Sequence, residues 1–127
     1  MLKPIPKNFK GLITISGPTK SGKSQLAEYF LRDQVSITYI ATSRPRVNDP
    51  EWQERINIHK KRRPKSWKLI EYPQDICKAI ESSRNEETFL IDSLGGLVEK
   101  YLNDNQDDWE CFQLKFLNCL QKNDLGI

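Results

Sequence analysis

The 127-residue sequence predicts an α/β fold, three layers deep, with a mainly parallel sheet between helices. Three observations carry this. Short apolar, β-branched runs alternate with segments of helical spacing, the pattern of βαβ units. Between the first such run and the first helix lies "GPTKSGKS" (17–24), which matches G-x-x-x-x-G-K-[ST] without a mismatch. No repeat, low-complexity tract or linker divides the chain, so a single domain over 1–127 is expected, with 1–10 as an irregular lead-in.

Each element has its own signal. "KGLITIS" (10–16) reads as a short buried strand. "KSQLAEYFLRD" (23–33) places Leu26, Ala27 and Phe30 at helical spacing, and "VSITYIA" (35–41) is a second buried strand. "DPEWQERINIHKKRR" (49–63) opens with an Asp N-cap, Pro at the first helical position and Glu behind it, and Pro64 ends it. A third strand follows at "WKLIEY" (67–72), a third helix at "QDICKAIESS" (74–83) and a fourth strand at "TFLIDS" (88–93). "SLGGLVEKYLND" and "DWECFQLKFLNCLQK" close the chain as helices.

Composition excludes several classes. Net charge is +3, with 29% charged residues, an ordinary surface with a mild basic bias. No run is long enough to span a bilayer, and "MLKPIPKNFKG" lacks the apolar stretch of a secretory signal. Cys77, Cys111 and Cys119 form no C-x-x-C pair, and with one histidine they cannot build a zinc site. They read as small buried hydrophobes in a reducing cytoplasm, with the spacing of Cys111 and Cys119 suiting burial.

The loop is a cradle for phosphate. Gly17 and Gly22 let backbone N–H groups turn inward around a polyphosphate, and the helix opening near Lys23 aims its positive end at it. Lys23 is expected at the β- and γ-phosphates and the Ser24 hydroxyl on magnesium, with Pro18, Thr19, Lys20 and Ser21 completing the loop. The expected architecture is thus a P-loop nucleoside triphosphate hydrolase-like fold. Such a loop needs an acid on a neighbouring strand for the metal, and Asp92, ending "TFLID", has the right type and place. Its alternative role is to cap the helix opening at "DSLGG".

His59 lies on the second helix, on one stripe with Trp52, Arg55 and Ile56. Taken alone it reads as a surface or packing residue. The "KKRRPK" after it reads as a cationic helix end favoured by the helix dipole. A nucleic-acid patch fits poorly, because the net charge is only +3 and no aromatic residue interleaves the basic run. The residue types also permit sharper chemistry. A neutral imidazole can attack phosphorus and hold it as a phosphoramidate, with cations beside it stabilising the charge.

The order "GPTKSGKSQLAE", "YIATS", "ERINIHKKRRPKSWKLIEYP", "FLIDSL" resembles the bifunctional adenosylcobinamide kinase / adenosylcobinamide-phosphate guanylyltransferase family of cobalamin biosynthesis, over roughly residues 11 to 100. The phosphate loop is widely shared; "YIAT" with R-I-x-x-H and R-P-x-x-W-x-x-x-E is much more specific. The resemblance implies an enzyme using Mg2+, GTP and ATP that phosphorylates adenosylcobinamide and then transfers GMP from GTP to the phosphate, while the cysteine usage and lack of signals imply a cytoplasmic location. It makes His59 the guanylylated nucleophile, Arg55 a phosphate contact and Glu71 a polar group of the nucleotide pocket. The plainer alternatives are a helix-surface charge for Arg55 and a strand-end carboxylate for Glu71. "RRP" (62–64) is expected to shape the loop after the helix.

The sequence departs from the family pattern in two places. After Asp92 it reads "DSLGGLVEKYLND", where a cysteine and threonine are usual. Two glycines at a helix start lower its stability by roughly 1 kcal/mol each, or permit close backbone approach to a ligand. Family members also continue past the fifth helix into a further core strand, a long helix and a last strand. The resemblance thus implies that the C-terminal third of the domain, with its later strands and part of a homo-oligomer surface, is absent. Two other readings stay open: another small P-loop kinase or NTPase in which His59 is bland, and an inactive truncated nucleotide-binding remnant.

Overall fold

Helix α1 (Lys23–Leu31) opens directly out of the phosphate loop and leads to strand β1 (Ile37–Ala41). Then follow α2 (Pro50–Arg62), β2 (Lys68–Glu71), α3 (Ile76–Glu81), β3 (Thr88–Asp92), α4 (Leu94–Lys100) and α5 (Gln106–Lys122). These come from a computed structural model that describes residues 3–6, 9, 11–18, 20–83 and 87–122. The strands form one all-parallel sheet in the order β2-β1-β3. Its register sets Tyr39 beside Leu69 and Leu90, and Ala41 beside Glu71 and Asp92.

Alternation of side chains along parallel strands gives the sheet two unlike faces. On one, Ile40 and Phe89 are fully buried with Ile76 and Ile80 of α3, Leu97 of α4, and Phe116 and Cys119 of α5. Ile70 and Ile91 pack against the same cluster. Tyr101, Phe112 and Phe116 extend it as a run of stacked rings, with centroids 4.5 and 5.5 Å apart. The other face carries Tyr39 and Asp92 towards α1 and the end of α2. Helix α2 buries none of its own residues. Its start is as expected, with Pro50 in the first turn and the Asp49 carboxylate accepting from the Trp52 N–H at 3.1 Å.

Three expectations are corrected. The strand expected over 10–16 is not formed: in 11–16 only Gly11 makes an isolated bridge, and Leu12 and Ile13 are exposed. The run has the composition of a buried strand, but a strand needs a ladder, and among the described residues β3 pairs with β1 alone. The second expected strand starts later, at Ile37, leaving Val35 exposed. Helix α1 forms as its spacing predicts, with Glu28 and Leu31 buried and Leu26, Ala27 and Phe30 half-buried. Cys111 is exposed, while Cys119 is buried and burial, with Cys119 nearby, pushes the Cys77 thiol up to about 12.

The paired glycines part company. A Cβ on Gly96 would lie 2.2 Å from Thr42 Oγ1 and 2.9 Å from the Thr42 carbonyl carbon, so α4 approaches the β1 exit as only glycine allows. The close approach is to the chain itself. A Cβ on Gly95 would meet only Ser93 Oγ, at 3.5 Å.

Candidate functional site

The phosphate loop turns sharply into α1. Gly22 has φ +88° and Lys20 φ +62°, both in the left-handed region, which glycine adopts freely and lysine does not. No side chain caps the N-terminus of α1, so its first N–H groups are left to a ligand or water. Lys23 Nζ donates to the Pro18 carbonyl at 3.1 Å and thus lies along the loop. Gly17, Pro18, Lys20, Ser21 and Gly22 are exposed, Lys23 and Ser24 half-buried. Thr19 lies outside the described residues.

Asp92 meets this loop at the C-terminal end of the sheet, where open parallel sheets bind ligands. Its Oδ2 accepts from Ser24 Oγ at 3.3 Å and from the Tyr39 hydroxyl. Capping of α4 is not its role: Ser93 holds that position, with no side-chain hydrogen bond. Instead Thr42 Oγ1 fixes the turn, donating to the Ser93 carbonyl at 2.6 Å and accepting from the Ser93 N–H at 2.8 Å. Burial first, then the Asp92 charge, push the Tyr39 phenol far above its usual range, so it stays a neutral donor. The Arg63 guanidinium lies over the Tyr39 ring, 4.1 Å from its centroid. The Ser24 and Asp92 oxygens suit one Mg2+, whose neighbouring ligands sit about 2.9 Å apart in an octahedral shell. Among the described residues no group of three His, Cys, Asp or Glu gathers as a metal cage.

His59 reaches the same region through α1. Arg62 Nε donates to Glu28 Oε2 at 2.7 Å, and Arg62 Nη2 donates to His59 Nδ1 at 3.0 Å. The last turn of α2 is thereby tied to the helix that follows the phosphate loop. His59 is half-buried, and burial first, then the charge of Arg62, with smaller pushes from Arg63 and Arg55, hold its imidazole below the ordinary value. Asp92 pulls the other way and loses. The ring is accordingly neutral at neutral pH, the form with a lone pair to give.

The structure thus brings together Ser24, Asp92 and, through Arg62, His59. Arg55 is exposed, close enough to act on the imidazole by its charge. Glu71 is also exposed but lies level with Asp92, across Ala41 in the register and so about 10 Å away, two strand spacings. Tyr39, Thr42, Glu28 and the pair Arg62 and Arg63 are functional or supporting groups that sequence reasoning missed. "RRP" does more than shape a loop, since Arg62 is the last residue of α2 and contacts both Glu28 and His59. One signal for Glu28 was available: a carboxylate three residues before Leu31, on the stripe that α1 buries.

A glycine-rich phosphate loop opening a helix beside a parallel sheet, with an acid at the end of the adjoining strand, defines the class as a P-loop α/β protein. The family model described as cobinamide kinase / cobinamide phosphate guanyltransferase matches residues 13–127, and the chain belongs to that family. It is 31% identical over 105 residues to the bifunctional adenosylcobalamin biosynthesis protein CobU of Escherichia coli K12, covering 78% of this chain and 57% of that protein. Identity to CobP of Pseudomonas aeruginosa, a protein of the same description, is 34% over 82 residues, 63% of this chain and 46% of the relative. The Salmonella typhimurium CobU is 40% identical over 60 residues, 47% of this chain and 32% of its own. The chain spans about half the length, or less, of the curated relatives it matches. No solved structure matches at the stringency these relatives meet. No helix among the described residues is long and apolar enough to cross a membrane.

Proposed function

We propose that this chain carries the two linked reactions of its family, phosphorylating adenosylcobinamide and transferring GMP from GTP to the product by way of His59. The observation that carries the reading is the Arg62 bridge, which ties the histidine helix to the phosphate-loop helix beside Asp92. A cytoplasmic setting suits the biosynthetic relatives and a cysteine set with no C-x-x-C pair.

In the kinase step, a hydroxyl oxygen of the cobinamide attacks the γ-phosphorus of a nucleoside triphosphate. The bond from that phosphorus to the β–γ bridging oxygen breaks, the diphosphate leaves, and the hydroxyl proton passes to solvent. In the guanylyl step a ring nitrogen of neutral His59 attacks the α-phosphorus of GTP and pyrophosphate leaves with the bridging oxygen. The proton on the other ring nitrogen stays, so the phosphoramidate ring is cationic. A phosphate oxygen of the cobinamide phosphate then attacks the same phosphorus, the N–P bond breaks, and the imidazole returns neutral. The loop of Gly17, Pro18, Thr19, Lys20, Ser21, Gly22 and Lys23 holds the β/γ end in both steps. Arg55 contacts phosphate, and Glu71 faces the nucleoside. Ser24 and Asp92 would hold Mg2+, which supplies charge neutralisation on the phosphates when bound.

The test is the intact mass of the protein after incubation with Mg-GTP. The wild type gains one acid-labile GMP; His59→Ala does not, and Lys23→Ala gains far less. A folded wild type with no gain would leave another P-loop kinase or an inactive nucleotide-binding remnant.

A further inference from the structure

Arg62 stands between a carboxylate and an imidazole. A guanidinium has five N–H donors and no acceptor, so its contact with His59 Nδ1 requires the lone pair of that nitrogen. The neutral ring then carries its proton on Nε2. The one lone pair the neutral ring has to give, on Nδ1, is thus engaged by Arg62, which slows its attack on phosphorus. Glu28 holds Arg62 there: its side chain is only 9% exposed, and its second oxygen, Oε1, is buried without a hydrogen-bond partner among the described residues. A half-satisfied buried carboxylate is expensive, and here it anchors one arginine. The charged groups around the ring are Arg55, Arg62 and Arg63 from α2 and its exit, Asp92 from β3 and, behind Arg62, Glu28 from α1.

We propose that Glu28 and Arg62 guard the nucleophile: Arg62, anchored through Nε on Glu28, keeps the Nδ1 lone pair of His59 engaged until the triphosphate of a bound nucleotide draws Nη2 away. The switch needs only the far end of the guanidinium to turn. Nε stays on Glu28, Nδ1 is freed, and the Nε2 proton remains on the ring, so no proton must leave before attack. Arg62 and Glu28 are positioning residues for His59, and the inference rests on the reading that His59 is the nucleophile.

The chain has a single histidine, so the ultraviolet absorbance of N-carbethoxyimidazole formed with diethyl pyrocarbonate, which carbethoxylated amines and thiols do not share, reads this imidazole alone. Rates are compared well above the imidazole's titration range, where the ring is neutral in every variant and its lone pair is the only variable. Arg62→Met reacts about tenfold faster than wild type, and Glu28→Gln falls between them. Magnesium tripolyphosphate, the probe for the triphosphate alone, speeds the wild type and leaves Arg62→Met unchanged. Equal rates in wild type and either folded variant overturn the guard, as does slowing of the wild type by bound tripolyphosphate. If Arg62→Met does not unfold cooperatively, Glu28→Gln decides the matter alone. Failure of GMP transfer with this rate pattern intact would remove His59 as nucleophile yet keep the masked lone pair, so the two readings fail separately.

Discussion

Two nearly buried carboxylates, Glu87 and Glu28, are held in opposite ways. Glu87 precedes β3, at the N-terminal end of the sheet, and both its oxygens are in use. Oε2 accepts from Ser36 Oγ at 2.5 Å and Oε1 from Thr38 Oγ1 at 2.6 Å, with Lys68 Nζ 3.5 Å away. Burial pushes its carboxyl up, but those hydrogen bonds and the Lys68 charge together win, and the net shift is down. Glu28 has Arg62 on one oxygen and, among the described residues, no hydrogen-bond partner on the other, so burial wins and its carboxyl is raised. The satisfied acid lies away from the site and the half-satisfied one beside it. A fully paired buried acid rigidifies a fold, whereas a half-paired one beside a site calls for a reason, and for Glu28 the proposed reason is its hold on Arg62.

Removing each acid should expose that difference. Glu87→Ala takes the acceptor from the buried Thr38 hydroxyl and the half-buried Ser36 hydroxyl, while the exposed Lys68 ammonium turns to water. It is expected to cost about 3 kcal/mol in urea unfolding. A loss below about 1 kcal/mol would make Glu87 an ordinary surface acid. Gly96→Ala comes next, at about 2 kcal/mol, because its Cβ must displace Thr42, which braces the turn after Asp92. Gly95→Ala, whose Cβ would make only an ordinary contact with Ser93 Oγ, should instead be neutral or stabilise by up to about 1 kcal/mol. Equal effects at the two glycines would mean that the contact with Thr42 carries no strain.

The legibility of the sequence divides along the same line. Gly17 to Ser24 are contiguous, so the loop is readable as a string, and Asp92 follows because it ends an obvious apolar strand. The Glu28–Arg62–His59 chain is not readable, since its members come from two helices and the first contact spans 34 residues. The 10–16 run fails for a different reason. Composition reports what a segment could bury, while a strand exists only where another strand offers its edge. "YIATS" is mixed: its specificity is visible in sequence, but the tasks of Tyr39 on Asp92 and Thr42 on Ser93 appear only when β1 and β3 are paired.

Glu28→Gln should change stability by no more than about 1 kcal/mol in either direction, since relief from burying a half-paired charge offsets the weakened hold on Arg62. Beside Glu87→Ala, this small effect sharpens the contrast. A loss as large as that at Glu87 would place Glu28 among the structural acids.

The smallest effect is in pH, and its sign separates the two acids most cleanly. Glu87 has a folded value below its ordinary 4.5, so the unfolded chain binds protons more readily there. Its contribution is complete above 4.5 and is lost as pH falls through that value and on through the folded one. Glu28 has a folded value above 4.5, so the folded chain binds the proton first. Stability from that group rises as pH falls from the folded value towards 4.5, the window next to that of Glu87 and of opposite slope. Urea midpoints taken on both sides of 4.5 should therefore show Glu87→Gln flattening the acid limb. Glu28→Gln should remove a gain just above it. If both variants alter the same limb with the same sign, the two carboxylates are held alike, and the contrast between a paired acid and a reserved one fails.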